Sequence, residues 1–196
     1  MMLQQHSINN SNNFIAGWYF SDNTICDQLI DIFEENPETH IQGTIGHGRV
    51  EKDVKSSTDM AIGGYMGMHP YPKYYSQLNQ VLEEYKTLYP FSDKKQSSYG
   101  MWPRVNIQKY NPGEGFYEWH YEKSGVHNMH RHLVFMTYLN DLDDGGETEF
   151  YHQKIKIKPE KGLTLIWPAE WPWTHRGVTS KSQTKYIVTG WYSYYA

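Results

Sequence analysis

Gln183-Thr184-Lys185-Tyr186-Ile187-Val188-Thr189-Gly190-Trp191-Tyr192 is the stretch on which the reading of this chain turns. Its β-branched and aromatic content is that of a strand. Alternate residues of a strand share a face, so Lys185 is in phase with Ile187 on the side expected to turn inward. An inward lysine needs an anionic partner; the competing reading makes it an ordinary surface charge. Working back toward the N-terminus, similar short runs fall at 102–110, 116–122, 131–140, 147–151, 153–158, 163–167 and 173–176, and the last run itself spans 184–194.

Two helical patterns precede these runs. The first begins at Ser21-Asp22, carries Ile25, Leu29, Ile32 and Phe33 at helical spacing, and stops at Asn36-Pro37. The second runs from about Pro72 to Tyr89 with Tyr75, Leu78, Val81, Leu82 and Tyr85 inward. Between them, residues 38–70 are polar and glycine-rich and read as short strands and loops. Eight short strands after two helices predict a mainly β (α+β) fold: a double-stranded β-helix, or jelly roll, braced on one side by helices. The expected organisation is a single domain over 1–196, with helical and loop support in 1–98 and the core in 99–196.

The chemistry is concentrated in His120-Tyr121-Glu122. In an extended strand residues i and i+2 point to the same side, so His120 and Glu122 face one point while Tyr121 turns away. His175, on a later strand, is the natural third donor, and Lys185 follows ten residues beyond it. Two imidazoles and a carboxylate hold a metal on one triangular face and leave the other open, the arrangement suited to non-haem Fe(II) and O₂. The chain has ten histidines, so chance groupings must be weighed. His6, His40, His69 and His152 read as structural or solvent-exposed. His127, His130 and His132 cluster around Arg131 with spacing that can bind a metal, but a loop or substrate-facing role is favoured there.

Composition sets outer limits. The net charge is −4, which argues against a broad phosphate-binding surface and hence against nucleic acid as a partner. Aromatic residues make up 16% of the chain; most serve a core, and the rest suit a groove with stacking surfaces. The single cysteine, Cys26, excludes an internal disulfide and falls in the first helical pattern as a buried thiol. With no apolar run long enough for a leader or a membrane span, the expectation is a cytoplasmic protein with no membrane partner.

Longer blocks around these residues resemble the 2-oxoglutarate/Fe(II)-dependent dioxygenases, and among them the prolyl 4-hydroxylases. Tyr110-Asn111-Pro112-Gly113-Glu114-Gly115-Phe116-Tyr117-Glu118-Trp119-His120 is similar to the family segment leading to the first histidine. Thr137-Tyr138-Leu139-Asn140, with Gly145-Gly146-Glu147-Thr148, resembles the Tyr-Leu-Asn…Gly-Gly-Glu-Thr signature. His175 to Trp191 resembles the closing block, and Asp53-Val54-Lys55-Ser56-Ser57-Thr58-Asp59 is a weaker likeness to a basic-Ser segment ahead of the core. The sequence departs from the family at Glu122, where aspartate is usual.

The resemblance implies Fe(II) on His120, Glu122 and His175, with 2-oxoglutarate as cosubstrate, O₂ as oxidant and ascorbate as a means of rescuing the iron. It implies that Lys185 grips the distal carboxylate of 2-oxoglutarate, that Tyr110 hydrogen-bonds the cosubstrate and that Thr137 places a hydroxyl near its far end. Trp191 is expected to wall that pocket by packing. Arg104, Tyr117, Trp119, Arg131 and Trp173 are candidate groove residues, with 43–67 and 123–131 as lids. The implied substrate is a proline-containing peptide or protein. A free amino acid or other small molecule is the alternative. A metal-stabilised jelly-roll binding module is a non-enzymatic reading, opposed by the open coordination face; a nucleobase-repair oxygenase is opposed by the acidic balance and by lysine at 185.

Overall fold

The computed structural model describes residues 2–8, 13–62, 67–94, 97–101 and 104–195. The predicted strand start at Trp102 and the glycines Gly63 and Gly64 lie outside the described residues. A short strand the periodicity did not reveal, β1 (Ala16–Tyr19), precedes helix α1 (Thr24–Glu35). The start of α1 falls later than Ser21-Asp22 because Asp22 caps it from outside, its carboxylate accepting from the Thr24 backbone N–H at 3.0 Å and hydroxyl at 2.5 Å. Strands β2 (Ile41–Gln42), β3 (Lys55–Ser56) and β4 (Thr58–Ala61) come next, and then helix α2 (Tyr71–Leu88). In α2 the sequence pattern holds for Leu78, Val81, Leu82 and Tyr85, but Tyr74 is the fully buried aromatic and Tyr75 is only half-buried.

The barrel strands are β5 (Tyr99–Met101), β6 (Asn106–Tyr110), β7 (Gly115–Phe116), β8 (Arg131–Tyr138), β9 (Thr148–Phe150), β10 (Ile155–Ile157), β11 (Leu163–Pro168), β12 (His175–Gly177) and β13 (Lys185–Tyr194). The major sheet runs β1-β11-β8-β13-β6-β4-β2, with β5 also on β13; the minor sheet is β10-β9-β12, and β3 pairs with β7. Strands from the first half of the chain thus extend the major sheet at both ends: β4 and β2 fall in the 38–70 segment read as short strands and loops, and β1 adds an edge the sequence reading did not expect.

Two apolar clusters follow from strand alternation. On β8, Leu133 and Phe135 face Leu29, Phe33, Val81 and Tyr85 of the helices. Val134, Met136 and Tyr138 face the other way, into the barrel with Ile187, Phe150 and Ile157. Helices therefore cover the outer face of the major sheet, and the minor sheet closes its inner face. Cys26 lies fully buried in the helix-side cluster, and burial pushes its thiol up to about 12. The Gly145-Gly146 turn holds both residues at positive φ, +98° and +79°. A Cβ on Gly145 would stand 2.3 Å from the Thr179 carbonyl oxygen, so glycine is required there.

Candidate active site

The predicted strand 116–122 is not one strand. The chain stays extended but changes partner repeatedly. Gly115 and Phe116 pair with Ser56 and Lys55. The Tyr117 N–H then reaches the Val54 carbonyl, His120 and His175 exchange backbone hydrogen bonds at 3.0 and 2.9 Å, and the Glu122 N–H reaches the Ala169 carbonyl at 3.1 Å. His120 and His175 are thus brought face to face by an isolated backbone bridge, and Glu122 is tied to the end of β11. Tyr121 turns outward and is exposed.

His120, Glu122 and His175 each offer one ligand atom within 4.8 Å of the other two, the only such group among the described residues. His120 Nε2 lies 3.6 Å and His175 Nε2 3.7 Å from Glu122 Oε1. Each Nδ1 faces a backbone carbonyl, Glu118 at 2.9 Å and Trp173 at 2.8 Å. A carbonyl only accepts, so each Nδ1 carries the proton and each Nε2 presents a lone pair. Two lone pairs and a carboxylate oxygen converging beyond hydrogen-bond distance are a donor set for a cation. Burial, reinforced by the neighbouring His175, holds the His120 ring down to about 3, and burial likewise lowers His175. For Glu122, burial raises the carboxyl, but His120, His175, Arg131 and the Trp191 indole outweigh it and leave it below the ordinary range. Phe116 stacks on His120 with centroids 3.6 Å apart and rings 10° from parallel, fixing the imidazole from one side.

Lys185 begins β13 and does point inward, only 6% exposed. Among the described residues its hydrogen-bond acceptor is the Gly146 carbonyl at 3.1 Å, and Glu147 is the acid whose charge reaches it. Burial pushes its ammonium down to about 8. Its Nζ lies 4.9 Å from the ring centroid of Tyr110 and 3.5 Å from where a Cβ on Gly177 would stand. His175 and Gly177 share a face of β12, and two residues of strand rise roughly 6–7 Å. The cation therefore sits deeper in the same barrel, about that far along the strand from a metal donor, with glycine leaving the space beside it open.

The other predicted residues divide. Trp191 joins the site directly, its Nε1 donating to Glu122 Oε2 at 3.1 Å. The Tyr110 hydroxyl donates to Gln108 Oε1 at 2.7 Å, so the ring is what meets Lys185. The structure does not bring Thr137 here. On β8 it is in phase with Phe135, and its hydroxyl pairs with Thr164 at 2.8 Å and with Tyr74 of α2 at 3.1 Å. The barrel-facing hydroxyls are those of Tyr138 and Thr148, 2.6 Å apart.

Arg131 is turned inward onto Glu122, with its guanidinium over the Trp191 ring at 3.6 Å, instead of lining an open groove. Trp173 points its indole away, donating to the Asn13 carbonyl at 2.7 Å. Trp119 stacks with Arg176 and Tyr151 on the outer side of the minor sheet. Tyr117 bonds the Gly113 carbonyl, and Arg104 is exposed near enough for its charge to act on Arg131. His132 is absorbed structurally, between the Ser92 carbonyl and the Tyr194 hydroxyl.

Sequence reasoning passed over a buried polar chain beside the site. Asp59 accepts from Lys55 at 2.8 Å, from Ser57 at 2.6 Å and from Gln108 at 3.3 Å, and Gln108 in turn accepts from Tyr110. The quoted 53–59 segment was the available signal: strand alternation in Lys55-Ser56-Ser57-Thr58-Asp59 puts Lys55, Ser57 and Asp59 on one face.

A jelly roll with two imidazoles and a carboxylate converging inside it, and a buried cation further in, defines a non-haem metal oxygenase scaffold. Residues 105–193 match the family model of the 2OG-Fe(II) oxygenase superfamily. Solved structures share the fold. A viral collagen prolyl hydroxylase from Paramecium Bursaria Chlorella virus-1, solved as a 2OG complex, superposes with a TM-score of 0.67 at 21% identity, covering 92% of this chain and 96% of that one. A Pseudomonas putida prolyl-4-hydroxylase gives 0.69 at 13% identity, covering 95% of each chain. A Trichoplax adhaerens prolyl hydroxylase, in complex with a hypoxia inducible factor oxygen degradation domain peptide fragment, gives 0.72 at 15% identity, covering 93% and 84%. Comparison with curated proteins gave no match. Over residues 105–193, a little under half of the chain, the sequence is thus similar to the 2OG-Fe(II) oxygenase superfamily, and the fold is prolyl 4-hydroxylase-like. The family match and the donor set together support Fe(II) and 2-oxoglutarate as metal and cosubstrate, with O₂ as oxidant. Among the described residues, no helix is long and apolar enough to cross a membrane.

Proposed function

We propose that the protein is a 2-oxoglutarate-dependent hydroxylase whose Fe(II) is held by His120, Glu122 and His175, and that its substrate is a peptidyl proline. The observation carrying the reading is the convergence of two unprotonated Nε2 atoms on Glu122 Oε1, in a barrel that also buries Lys185 beside an open glycine. The bound metal, with 2-oxoglutarate and O₂, supplies oxidative decarboxylation to succinate and CO₂ and transfer of one oxygen atom to a substrate C–H bond.

The rest is work done by side chains. The Glu118 and Trp173 carbonyls hold the imidazole tautomers, and Phe116 fixes the plane of the first ring. Lys185 binds the distal carboxylate of 2-oxoglutarate by a charge-assisted hydrogen bond, over the Tyr110 ring. Ile187, in phase with Lys185 on β13, is apolar and buried at that end, and Phe150 packs beside His175. With three protein donors, His120, Glu122 and His175, the site would leave room on a bound metal for cosubstrate and oxidant, which a closed structural site would not. Support for a peptide substrate comes from the likeness to the Trichoplax adhaerens enzyme, whose complex holds a peptide, and from the aromatic Tyr117 three residues before His120, its hydroxyl tied to the Gly113 carbonyl. The test is succinate formation from 2-oxoglutarate by the purified chain with Fe(II) and ascorbate, with and without proline peptides. No succinate under any condition, while His175→Ala binds metal like the parent, would overturn the assignment.

A further inference from the structure

Glu122 is held in a way the metal alone does not require. Its Oε1 faces the two imidazoles, while its Oε2 accepts from Arg131 Nη1 at 2.9 Å and from Trp191 Nε1 at 3.1 Å. The same Nη1 also donates to the Glu122 backbone carbonyl at 2.9 Å. One nitrogen thus staples the side chain to its own main chain. The guanidinium lies 3.6 Å from the Trp191 ring centroid, and the two residues come from neighbouring strands, β8 and β13, in which Val134 stands opposite Trp191. Behind them, the Glu122 and Lys123 N–H groups both bond the Ala169 carbonyl. A glutamate has one more rotatable bond than an aspartate, and unrestrained it can offer a metal either oxygen or both. Here every donor near Oε2 removes that choice.

We propose that Arg131, with Trp191, is a positioning residue that reserves Glu122 Oε1 for the metal and keeps the carboxylate monodentate. This rests on the metal reading above. The Nη1 of Arg131 is then committed to the ligand. The ion pair itself is partly shielded, its side chains 18% and 16% exposed, so its geometry is not that of a solvated surface contact.

Mn(II) binding by the full chain, measured by calorimetry, tests the proposal in a four-way comparison of parent, Arg131→Met, Glu122→Asp and the double variant. Outer partners of metal ligands typically contribute about 10–100-fold in metal affinity, and a loss in that range is expected for Arg131→Met. In the Glu122→Asp background the shorter arm withdraws its outer oxygen from Arg131 and Trp191, so the same substitution should change affinity by less than about threefold, a coupling the cycle isolates. The visible spectrum of the Co(II) form should also shift in Arg131→Met as the freed carboxylate turns bidentate, a change that loss of packing alone does not produce. Unchanged or tighter Mn(II) binding in Arg131→Met overturns the proposal, as does an equal loss in both backgrounds. Should Arg131→Met not fold, Arg131→Lys and Trp191→Phe decide. Each removes one part of the staple and should weaken Mn(II) in the same direction by a smaller factor, and parent-like affinity in both overturns the idea. If the parent itself fails to bind Mn(II), the metal reading falls rather than the clamp.

Discussion

Lys185 and Tyr110 stand directly opposite each other on β13 and β6, with the ammonium 4.9 Å from the centre of the phenol ring. The lysine is buried without a carboxylate in ion-pair contact among the described residues, and its one backbone acceptor leaves two N–H groups for a ligand. Lys185→Ala should therefore raise the 2-oxoglutarate KM. Hydrogen bonds to charged groups contribute about 1.5–3 kcal/mol, so a rise of roughly 10- to 150-fold is expected. Lys185→Arg should rescue only in part, because the forked guanidinium differs from an ammonium in size and geometry. A KM unmoved by Lys185→Ala would place the lysine outside the pocket.

Burial pushes Lys185 down to about 8, which gives two pH effects with opposite signs. Only the protonated form attracts a carboxylate, so 2-oxoglutarate affinity should fall as pH rises through about 8, by roughly tenfold per unit well above it. For stability the sign reverses. The unfolded lysine keeps its ordinary high pKa, so the unfolded chain binds more protons between about 8 and that value, and stability of the unliganded protein rises with pH across this window. At pH 7 the buried charge is a net burden, and Lys185→Met should stabilise the unliganded protein by about 2 kcal/mol while weakening cosubstrate binding as Lys185→Ala does. Chemical denaturation at pH 7 is the measurement; a destabilised Lys185→Met would show that the Gly146 hydrogen bond outweighs desolvation.

Thr137 supplies a prediction of the opposite kind. Its hydroxyl links Thr164 to Tyr74 on the helix side of β8. Thr137→Val should leave the 2-oxoglutarate KM unchanged and destabilise the fold by about 1–3 kcal/mol, the range for stranding buried hydroxyls. A raised KM with unaltered stability would return Thr137 to the pocket.

The error over Thr137 shows where the sequence was legible and where it was not. The metal donors and Lys185 could be placed because each lies on a segment whose two faces differ in character: Tyr121 is exposed between His120 and Glu122, and Lys185 alternates with Ile187. β8 is buried on both faces, and His132 to Tyr138 carries no polar alternation to say which side is the barrel. A phase error there moves a side chain to the opposite side of the sheet. Arg131 was visible as a basic residue near the site, but its partner depends on β8 and β13 lying side by side, a pairing between residues 131 and 193 that no local pattern encodes. β1 was missed because four residues, one a glycine, are too few for a period to emerge.

The metal site itself makes the next prediction. His120→Ala and His175→Ala should each abolish measurable Fe(II) binding with little loss of fold, since both side chains lie at the barrel's inner edge and their backbone pairing does not depend on the ring. Glu122→Asp should retain partial activity: the carboxylate remains, but its shorter arm cannot satisfy the imidazole face and the Arg131–Trp191 pair together. Anaerobic calorimetry with Fe(II) checks all three, and parent-like affinity in either alanine variant would remove that histidine from the site.

Substrate class is the last and the furthest from the metal. Proline-containing peptides should stimulate 2-oxoglutarate decarboxylation and gain one oxygen atom on the ring. The backbone approach to His120 is lined by Tyr117, whose hydroxyl is tied to Gly113 so that the ring edge stays fixed, and by Phe116, which already stacks on the imidazole. Fixed aromatic faces beside an extended chain suit a proline ring, which lacks an N–H and presents a flat apolar surface. The loop at 123–130, which follows Glu122 directly, carries exposed Val126 and Met129. The competing substrate is a free amino acid, which would need a paired recognition of its ammonium and carboxylate near the metal. Arg131 already gives its Nη1 to Glu122 and is held in that orientation. A panel of peptides with proline in varied contexts, run beside the free amino acids and read by mass gain and succinate release together, separates the two. Oxidation of free amino acids with proline peptides inert would keep the oxygenase and discard the prolyl assignment. Tyr117→Ala should then discriminate further, raising the KM for peptide and leaving that for 2-oxoglutarate unchanged.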